Sequence, residues 1–431
     1  NNELVTELVI PNGVTSIGWG AFYNCSGLTS VTIGNSVTSI GEQAFDYCQN
    51  LKEVINLSNL DIVSGEESHG KVALYADEVI TMPGCYREGD YIFTETDGVY
   101  ALAKYLGTDT NWVLPESCNG NNYVIPANFF NGNSEITSIT IPAAVTAIGE
   151  NAFADCSALT EVHINDLAAW CNIDFANSNA NPTNVAHNLY LNGELITDLV
   201  IPSNITVIKN QAFRGCSNIT SVTMHDGVTA LGQYAFNTCT SLTSAKLSGG
   251  ITVVPRGLFS GCTNLNEVII PDGVETIEYS SFFGCVLTSI TIPATITNIA
   301  DGAFNNCETI VEVINFSKLN IVAGEGLHGG VALYAERVLS PYLHDGVEFV
   351  YDNIKDFTTL YYTRTFENND WQPWYMPFDV ELSDLENELE VACLNNIHQY
   401  DDNEDDEIDR TELEAIKMNS GTLLANYPYI V

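Results

Sequence analysis

LTSVTIGNSVTSIGEQAFDYC, at residues 28–48, is the clearest copy of a phrase that recurs along this chain with a period of about 23 residues. Further copies are ITSITIPAAVTAIGENAFADC at 136–156, ITDLVIPSNITVIKNQAFRGC at 196–216 and LTSITIPATITNIADGAFNNC at 287–307. Self-similarity at a fixed period of this size is typical of a solenoid. Most large residues are therefore predicted to stack one turn on the next. Residues with a functional role must then be sought outside these stacked positions.

Within one repeat, the spacing of Leu28, Val31 and Ile33 predicts a short strand whose inner face carries Val31 and Ile33. A second short extended stretch follows near residues 37–40, and residues 41–48 suit one or two helical turns. The predicted fold is therefore an α/β solenoid of short parallel strands and short helical turns, followed by a β-rich C-terminal module.

The side chains at positions 30 and 32 of the repeat are predicted to point outward from the sheet. Down the array these positions are Ser30/Thr32, Ser138/Thr140, Glu161/His163, Asp198/Val200, Ser221/Thr223, Ser244/Lys246, Glu267/Ile269 and Ser289/Thr291. This face is small and polar. It shows no row of aromatic residues of the kind that stacks sugars or bases, so no ligand is indicated on it.

Twelve cysteines raise the question of disulfides. Eight of them lie three residues after a repeat phenylalanine: Cys25, Cys48, Cys156, Cys216, Cys239, Cys262, Cys285 and Cys307. Stacked turns lie about 4.8 Å apart, but equivalent Cβ vectors run parallel, which is poor geometry for a bridge. We therefore predict a ladder of small, buried thiols. The sequence leaves the pairing of Cys85, Cys118, Cys171 and Cys393 open.

The chain is strongly acidic, with 55 Asp and Glu against 14 Lys and Arg and a net charge of −41. Such a surface repels phosphate backbones and anionic lipid, which argues against nucleic-acid and membrane-surface binding and favours cationic partners and divalent cations. No apolar run approaches the ~20 residues that a membrane helix needs. A targeting segment is not visible, as would also be the case in a mature protein that had lost one.

Departures from the repeat divide the chain into four predicted segments. Residues 1–80 hold N-terminal repeats and a transition segment, 81–135 a hairpin insertion and a decayed repeat, 136–340 the main array, and 341–431 an acidic, β-rich domain. Asp97-Gly98 and Asn192-Gly193 each lie between alternating runs and predict hairpins. In the decayed repeat, Phe130 takes the phenylalanine position and Asn133 the cysteine position.

Residues 51–80 and 310–339 share a second pattern and match at 18 of 30 positions. Each follows a run of regular repeats, as a capping or transition module would. His69 and His328 occupy matching positions in the two copies, where structural packing and a functional role are both open.

The phrase IPAAVTAIGENAFADC at residues 141–156 resembles the BspA-like leucine-rich repeat of bacterial surface proteins. The insertion at 163–202 is similar to one seen among such repeats, and YTRTFENNDWQPWYMPF at 362–378 resembles the end module of surface proteins from gut anaerobes. The resemblance implies a leucine-rich-repeat solenoid in a secreted or surface-displayed protein, with roles in adhesion to host or bacterial ligands. It carries over no ligand-contacting residue.

The sharpest chemical motif is DDNEDDEIDRTE at residues 401–412. An EF-hand loop places hard oxygen ligands at alternate positions and a bidentate glutamate at its end. The predicted Ca²⁺ ligands are Asp401, Asn403, Asp405, Glu407, Asp409 and Glu412. Asp406 stands where such a loop normally has glycine, and the flanking helices are doubtful. A solvated acidic hairpin tip is therefore the alternative.

The C-terminal region also contains clustered aromatic residues, which are Tyr361, Tyr362, Trp371, Trp374, Tyr375 and Phe378. Such a cluster can form a carbohydrate or peptide platform, or the core of a small β-rich domain. Between residues 379 and 414 lie 15 acidic residues and a single arginine, a run typical of a solvated face that could also dock a basic partner.

The sequence shows no H-E-x-x-H, G-x-S-x-G, Walker loop or C-x-x-C. We therefore expect a non-enzymatic, monomeric, secreted or surface protein that binds an extracellular protein or glycan ligand. Broad, shallow contact would use the sheet face and the loops near residues 81–112 and 165–195. The alternative is a structural stalk that displays another domain at the cell surface.

Overall fold

The computed structural model describes residues 4–340 and, beyond them, seven strands of the backbone. These are Tyr342–His344, Tyr361–Thr363, Val380–Glu381, Val391–Tyr400, Arg410–Met418, Thr422–Leu423 and Tyr429–Ile430. The chain forms two compact units, one of residues 1–197 with 207–218 and the other of residues 198–206 with 219–431. The four-segment division from the repeat pattern remains a prediction.

Within residues 4–340, each unit is a parallel-strand solenoid, as predicted, in which successive turns add neighbouring strands to a sheet. In the first unit these strands are Glu7–Val9, Ser30–Ile33, Glu53–Asn56 and Glu78–Thr81 in one sheet, and Asn111–Val113, Ser138–Ile141, Glu161–Ile164, Leu189–Leu191 and Glu194–Leu195 in another. In the second unit they are Asp198–Val200, Ser221–Thr223, Ser244–Lys246 and Glu267–Ile269, and then Ser289–Ile292, Glu312–Asn315 and Arg337–Leu339.

Shorter strands form further ladders along the stack. The first unit has Ser16–Ile17 beside Ser39–Ile40, and a sheet of Tyr86–Glu88, Tyr91–Thr96, Val99–Tyr105, Tyr123–Ile125, Val145–Ile148 and Asp174–Phe175. The second unit has Val253–Val254, Thr276–Ile277 and Asn298–Ile299. Strands Val207–Ile208 and Ala230–Leu231 are the corresponding short strands of their own turns.

The core lies between these ladders. Val31 and Ile33 are fully buried, as their spacing predicts, and the repeat phenylalanines stack ring on ring through the interior. The ring centroids of Phe22 and Phe45 lie 5.0 Å apart, and those of Phe282 and Phe304 lie 4.9 Å apart. Phe130 of the decayed repeat stacks on Phe153 at 4.7 Å, so this turn keeps its place in the stack.

The segment around each phenylalanine differs from the short helix that we predicted. In residues 41–48 the chain forms consecutive turns, because Gln43 and Tyr47 have φ of 60° and 63°. These left-handed residues lie two positions before and after Phe45, and an α-helix cannot continue through them. In residues 4–340 the α-helices are Ser68–Lys71, Leu167–Cys171 and Thr183–Ala186, and the 3₁₀ helices are Ser178–Ala180 and His328–Gly330.

The cysteine ladder is confirmed among the described residues, with seven of the eight repeat thiols buried and Cys25 half-buried. All eleven cysteines whose side chains are described are free, including Cys85, Cys118 and Cys171, while the side chain of Cys393 lies outside the described residues. The thiols also have a role that the sequence did not indicate. In five turns the Sγ atom donates to the carbonyl of the phenylalanine one turn earlier at 3.0–3.4 Å: Cys48, Cys156, Cys262, Cys285 and Cys307.

Threonine hydroxyl groups form a parallel ladder on another side of the turn. The Oγ1 atom of Thr29 donates to the carbonyl of Thr6 at 2.9 Å, and that of Thr243 to Thr220 at 3.0 Å, each across 23 residues. A hydroxyl group at this position therefore satisfies a carbonyl of the neighbouring turn. The repeated threonine of the phrase is structural.

Both predicted hairpins are present. Tyr91–Thr96 pairs antiparallel with Val99–Tyr105 around Asp97-Gly98, and Leu189–Leu191 pairs with Glu194–Leu195 around Asn192-Gly193. All four turn residues have positive φ, as a type I′ turn requires. The segment near 165–195 is not a simple loop, because strands Asp174–Phe175 and Leu189–Leu191 rejoin the ladders of the preceding turns.

The two copied segments form the same hydrogen-bond network. The Oδ1 atom of Asn56 accepts from the backbone and hydroxyl of Ser58, and its amide donates to Leu60; Asn315 does the same with Ser317 and Leu319. The following Gly70 and Gly329 have φ of 65° and 70°, and a Cβ atom there would lie 2.4 or 2.6 Å from a backbone oxygen of the preceding turn.

His69 and His328 precede these glycines and are themselves in left-handed backbone conformations with φ of 47° and 49°. Each lies half-buried where the chain turns back onto the stack. Their matching positions are therefore explained by the shared fold of the two segments.

We predict that buried thiols make the protein sensitive to alkaline pH. Burial raises the pKa of Cys156 to about 11 and those of Cys118, Cys171, Cys216 and Cys307 to about 12, from 9.0. Between these values the unfolded chain has lost protons that the folded chain retains. The free energy of unfolding should therefore fall with rising pH above 9, by about 1.4 kcal/mol per pH unit for each such thiol.

Urea unfolding followed from pH 7 to 11 measures this slope. Cys156→Ala and Cys307→Ala should each make the slope shallower, whatever their effect on stability at pH 7. A free energy of unfolding that stays constant between pH 9 and 10.5 would contradict the prediction.

Candidate binding surfaces

Two residues per strand point out of each sheet, and these outward rows are the surfaces that the repeats leave available. Alternate residues of a strand point to opposite faces, so the residues between them are buried in the stack. The register Glu7↔Ser30 and Val9↔Thr32 aligns equivalent outward residues across neighbouring strands. The three sheet faces formed in this way differ in what covers them.

The face of residues 7–80 is covered by the chain's own hairpin. Arg87, on strand Tyr86–Glu88, donates from its guanidinium group to the hydroxyl of Thr32 and to the carboxylate of Glu7. Its side chain is only 7% exposed, and Thr32 beneath it is fully buried. Beside it, Ile92 of the hairpin packs with outward-facing Ile55 in a small apolar cluster. The centre of this face, at Thr32 and Ile55, is therefore closed to a partner, while Val9 at its edge is 45% exposed.

The face of residues 111–195 is open and contains an aromatic pair. Its rows are Asn111, Ser138, Glu161 and Asn188, and, beside them, Val113, Thr140, His163, Tyr190 and Leu195. The rings of His163 and Tyr190 stack at 4.6 Å, and the Nε2 atom of His163 lies 3.0 Å from the carboxylate of Glu161. The stacked rings lie side by side on neighbouring strands, and both are half-buried.

Sequence reasoning missed Tyr190 on this face. The alignment of regular repeats passed from Glu161/His163 directly to Asp198/Val200, because residues 165–195 broke the pattern. The structure places Tyr190 opposite His163 in the parallel ladder. The expectation that the face has no aromatic row therefore needs correction at this point. The predicted hairpin at Asn192-Gly193 was the signal that could have identified the added strand.

The face of residues 198–339 is also open. Its rows are Asp198, Ser221, Ser244, Glu267, Ser289, Glu312 and Arg337, and, beside them, Val200, Thr223, Lys246, Ile269, Thr291, Ile314 and Leu339. Val200 and Ile269 are 65% and 48% exposed. The Oδ1 atom of Asp198 accepts from the hydroxyl of Ser221 at 2.8 Å, which fixes the carboxylate on the face.

The predicted calcium ligands Asp401, Asn403, Asp405, Glu407 and Asp409 lie outside the described residues. Glu412 belongs to strand Arg410–Met418, whose side chains are not described. This strand pairs antiparallel with Val391–Tyr400, so strands rather than helices flank the motif. The aromatic residues 371–378 also lie outside the described part. Among the described residues, no group of acidic, histidine or cysteine side chains could hold a metal ion.

A family model for the BspA type leucine rich repeat region matches the chain in six copies, over residues 1–68, 123–189 and 183–311. This chain belongs to the BspA-type leucine-rich-repeat family. The matched ranges include both regular arrays and the insertion that carries Tyr190.

Solved structures of low sequence identity are also similar. A leucine rich cell surface protein from Faecalibacterium prausnitzii is 24% identical over 76% of this chain and 82% of that chain, with a TM-score of 0.35. A leucine-rich repeat protein from Bacteroides ovatus is 20% identical over 84% of this chain and 92% of that chain, with a TM-score of 0.37. A leucine-rich repeat protein from Eubacterium ventriosum is 19% identical over 77% of this chain and 82% of that chain, with a TM-score of 0.31.

No curated protein matches the chain. Among the described residues, no helix is long and apolar enough to cross a membrane.

We predict that Arg87 stabilises the first unit. Arg87→Met should lower the free energy of unfolding of the first unit by about 1–3 kcal/mol, because the substitution leaves the buried hydroxyl of Thr32 without the guanidinium group as a hydrogen-bond partner. Urea unfolding measures the difference. The matched control is Lys52→Met, whose ion pair with Asp77 is more than half exposed and should contribute less than about 1 kcal/mol. Equal effects of the two substitutions would contradict the prediction.

The calcium hypothesis predicts that millimolar Ca²⁺ raises the melting temperature, because a bound ion stabilises the folded state by mass action. Asp401→Ala combined with Glu412→Ala should abolish the gain. Asp384→Ala combined with Glu388→Ala removes two charges from the same acidic run and should leave it intact. An unchanged melting temperature of the parent protein in Ca²⁺ would reject the site.

Proposed function

We propose that this chain is a non-enzymatic, secreted or cell-surface protein that binds an extracellular host or bacterial macromolecule through the sheet faces its own hairpin leaves open. The observation that carries the proposal is the contrast between these faces. Arg87 and Ile92 close the centre of the face of residues 7–80. The faces of residues 111–195 and 198–339 have exposed polar and apolar side chains on a rigid backbone.

The chemistry of the open faces supports binding rather than catalysis. They consist of rows of hydroxyl, amide and carboxylate groups with a few apolar side chains, held at the strand spacing of about 4.8 Å. Groups fixed on strands are held in defined positions, so many weak contacts can add up to useful affinity without a deep cavity.

The net charge of −41 narrows the class of partner. It disfavours nucleic acid and anionic lipid, and leaves proteins with basic segments and glycans as the ligands that fit an adhesion-type role. We further propose that the protein acts as a monomer outside the cell. Family membership supports this assignment at the level of fold and surface-protein class.

The alternative is a stalk that holds another domain away from the cell. The Cys–Phe and Thr–Thr ladders support it, because they commit most side chains of each turn to rigid stacking. A stalk needs no specific ligand, whereas a binding protein does, so one measurement separates the two.

The test is a binding screen of the folded protein against immobilised glycans and extracellular-matrix proteins. The binding function predicts at least one saturable ligand. For a ligand on the face of residues 111–195, His163→Ala with Tyr190→Ala should weaken binding about tenfold or more. The control is Tyr23→Ala with Tyr47→Ala, which removes an exposed aromatic pair away from this face. Saturable binding to no member of the panel would favour the stalk.

A further inference from the structure

Arg87 shows how one of these sheet faces recognises a guanidinium group. Its Nε atom donates to the carbonyl of Gly89 at 2.8 Å, and its two acceptors on the sheet are on neighbouring strands: the carboxylate of Glu7, and the hydroxyl of Thr32 on the next strand. The register pairs Glu7 with Ser30 and Val9 with Thr32, so the two residues that contact Arg87 lie diagonally in a group of four. We call this group, an acid and a branched apolar residue on one strand with Ser and Thr on the next, the Arg87 contact set. The planar fork of arginine suits acceptors separated in this way.

The same set of side chains recurs on the face of the second unit. Asp198 pairs with Ser221 in the parallel ladder, and Val200 pairs with Thr223. Each of the four therefore occupies the place of Glu7, Ser30, Val9 or Thr32 in the first sheet. Asp198, Val200 and Thr223 are exposed, and among residues 4–340 no ion pair engages the carboxylate of Asp198.

A second copy lies three strands further along. Glu267 and Ile269 are on one strand, and Ser289 and Thr291 occupy the corresponding outward positions of the next turn. These strands lie side by side. Glu267, Ile269 and Thr291 are exposed, as in the first copy. The second unit thus presents the Arg87 contact set twice. Among the described residues, no side chain lies over either copy as Arg87 lies over the first sheet.

The open face of the first unit offers a natural contrast. There the matching positions are Asn111, Val113, Ser138 and Thr140, so an uncharged amide replaces the acid. The Oδ1 atom of Asn111 already accepts from the hydroxyl groups of Thr137 and Ser138 at 2.8 and 3.1 Å. The uncharged amide of Asn111 therefore attracts a cation less than the carboxylate of Asp198 at the matching position.

We propose that the face of residues 198–291 binds an extended, arginine-bearing segment of a partner protein, with one arginine over each contact set. This inference rests on the proposed binding function and names the chemistry of one partner. The acidic net charge favours a basic segment. The internal Arg87 contact identifies arginine rather than lysine as the cation that fits.

The spacing of the two sets constrains the partner. Three strand spacings of about 4.8 Å separate them by about 14 Å, which an extended chain covers in about four residues at roughly 3.3 Å each. Lys246 is exposed on the strand next to Glu267 and lies between the two sets. Its ammonium group repels a cation at the midpoint, so the partner's arginines must flank it.

The probe is a nine-residue synthetic peptide of Gly and Ser with arginines four positions apart, titrated into the full chain at low salt by fluorescence anisotropy. Asp198→Asn and Glu267→Gln should each raise the dissociation constant about tenfold, because each removes one charge-assisted contact. Glu308→Gln removes an exposed charge outside the two sets and should change nothing. All three positions are exposed, so folding is preserved.

Two further peptides test the geometry. Replacing both arginines with lysine, or moving them to two positions apart, should weaken binding severalfold. Equal binding of either control peptide, no binding of the parent peptide, or no effect of Asp198→Asn and Glu267→Gln would each overturn the inference. If the peptides fail in any of these ways while a ligand from the matrix screen still binds saturably, the inference is overturned and the proposed binding function stands.

Discussion

In-register stacking of turns is the constraint on which this structure depends. Within a turn, many polar groups find their partners only on the neighbouring turn. The thiol of Cys262 donates to the carbonyl of Phe236, and the hydroxyl of Thr243 donates to that of Thr220. A turn that shifted by one residue would lose such bonds and turn its apolar residues to the wrong face. Insertions are therefore tolerated where the chain can return to the ladder, as it does at Leu189–Leu191.

This constraint also determines where function can lie. Inward positions must remain apolar, and positions beside the phenylalanines must form tight left-handed turns. The two outward positions of each strand are free of both requirements. Variation there has produced three different faces in one chain. The first is covered at its centre by Arg87, the second carries the His163–Tyr190 pair, and the third carries exposed carboxylates at Asp198 and Glu267.

Much of the architecture was predictable because its signals are local. The repeat period, the Asp97-Gly98 and Asn192-Gly193 hairpins and the free thiols follow from spacing and turn chemistry, and the structure confirms them. The prediction of short helical turns around the repeat phenylalanines was wrong, because the chain forms consecutive non-helical turns there. Gln43, Tyr47, Gln211 and Tyr234 adopt left-handed conformations that their residue types do not favour, because the stacked turn rather than residue preference imposes them. The calcium motif and its six predicted ligands stay a prediction.

The sequence alone therefore determined the solenoid, its buried rows and the structural role of its cysteines, since these depend on residues within one period. The tertiary structure decided which outward rows a partner can reach. Arg87 contacts Thr32 and Glu7 across 55 and 80 residues, and no local pattern predicts that contact. Likewise, Tyr190 joins His163 because an irregular insertion returns to the ladder. Accessibility of a face depends on what folds over it, and that is settled only when distant segments pack.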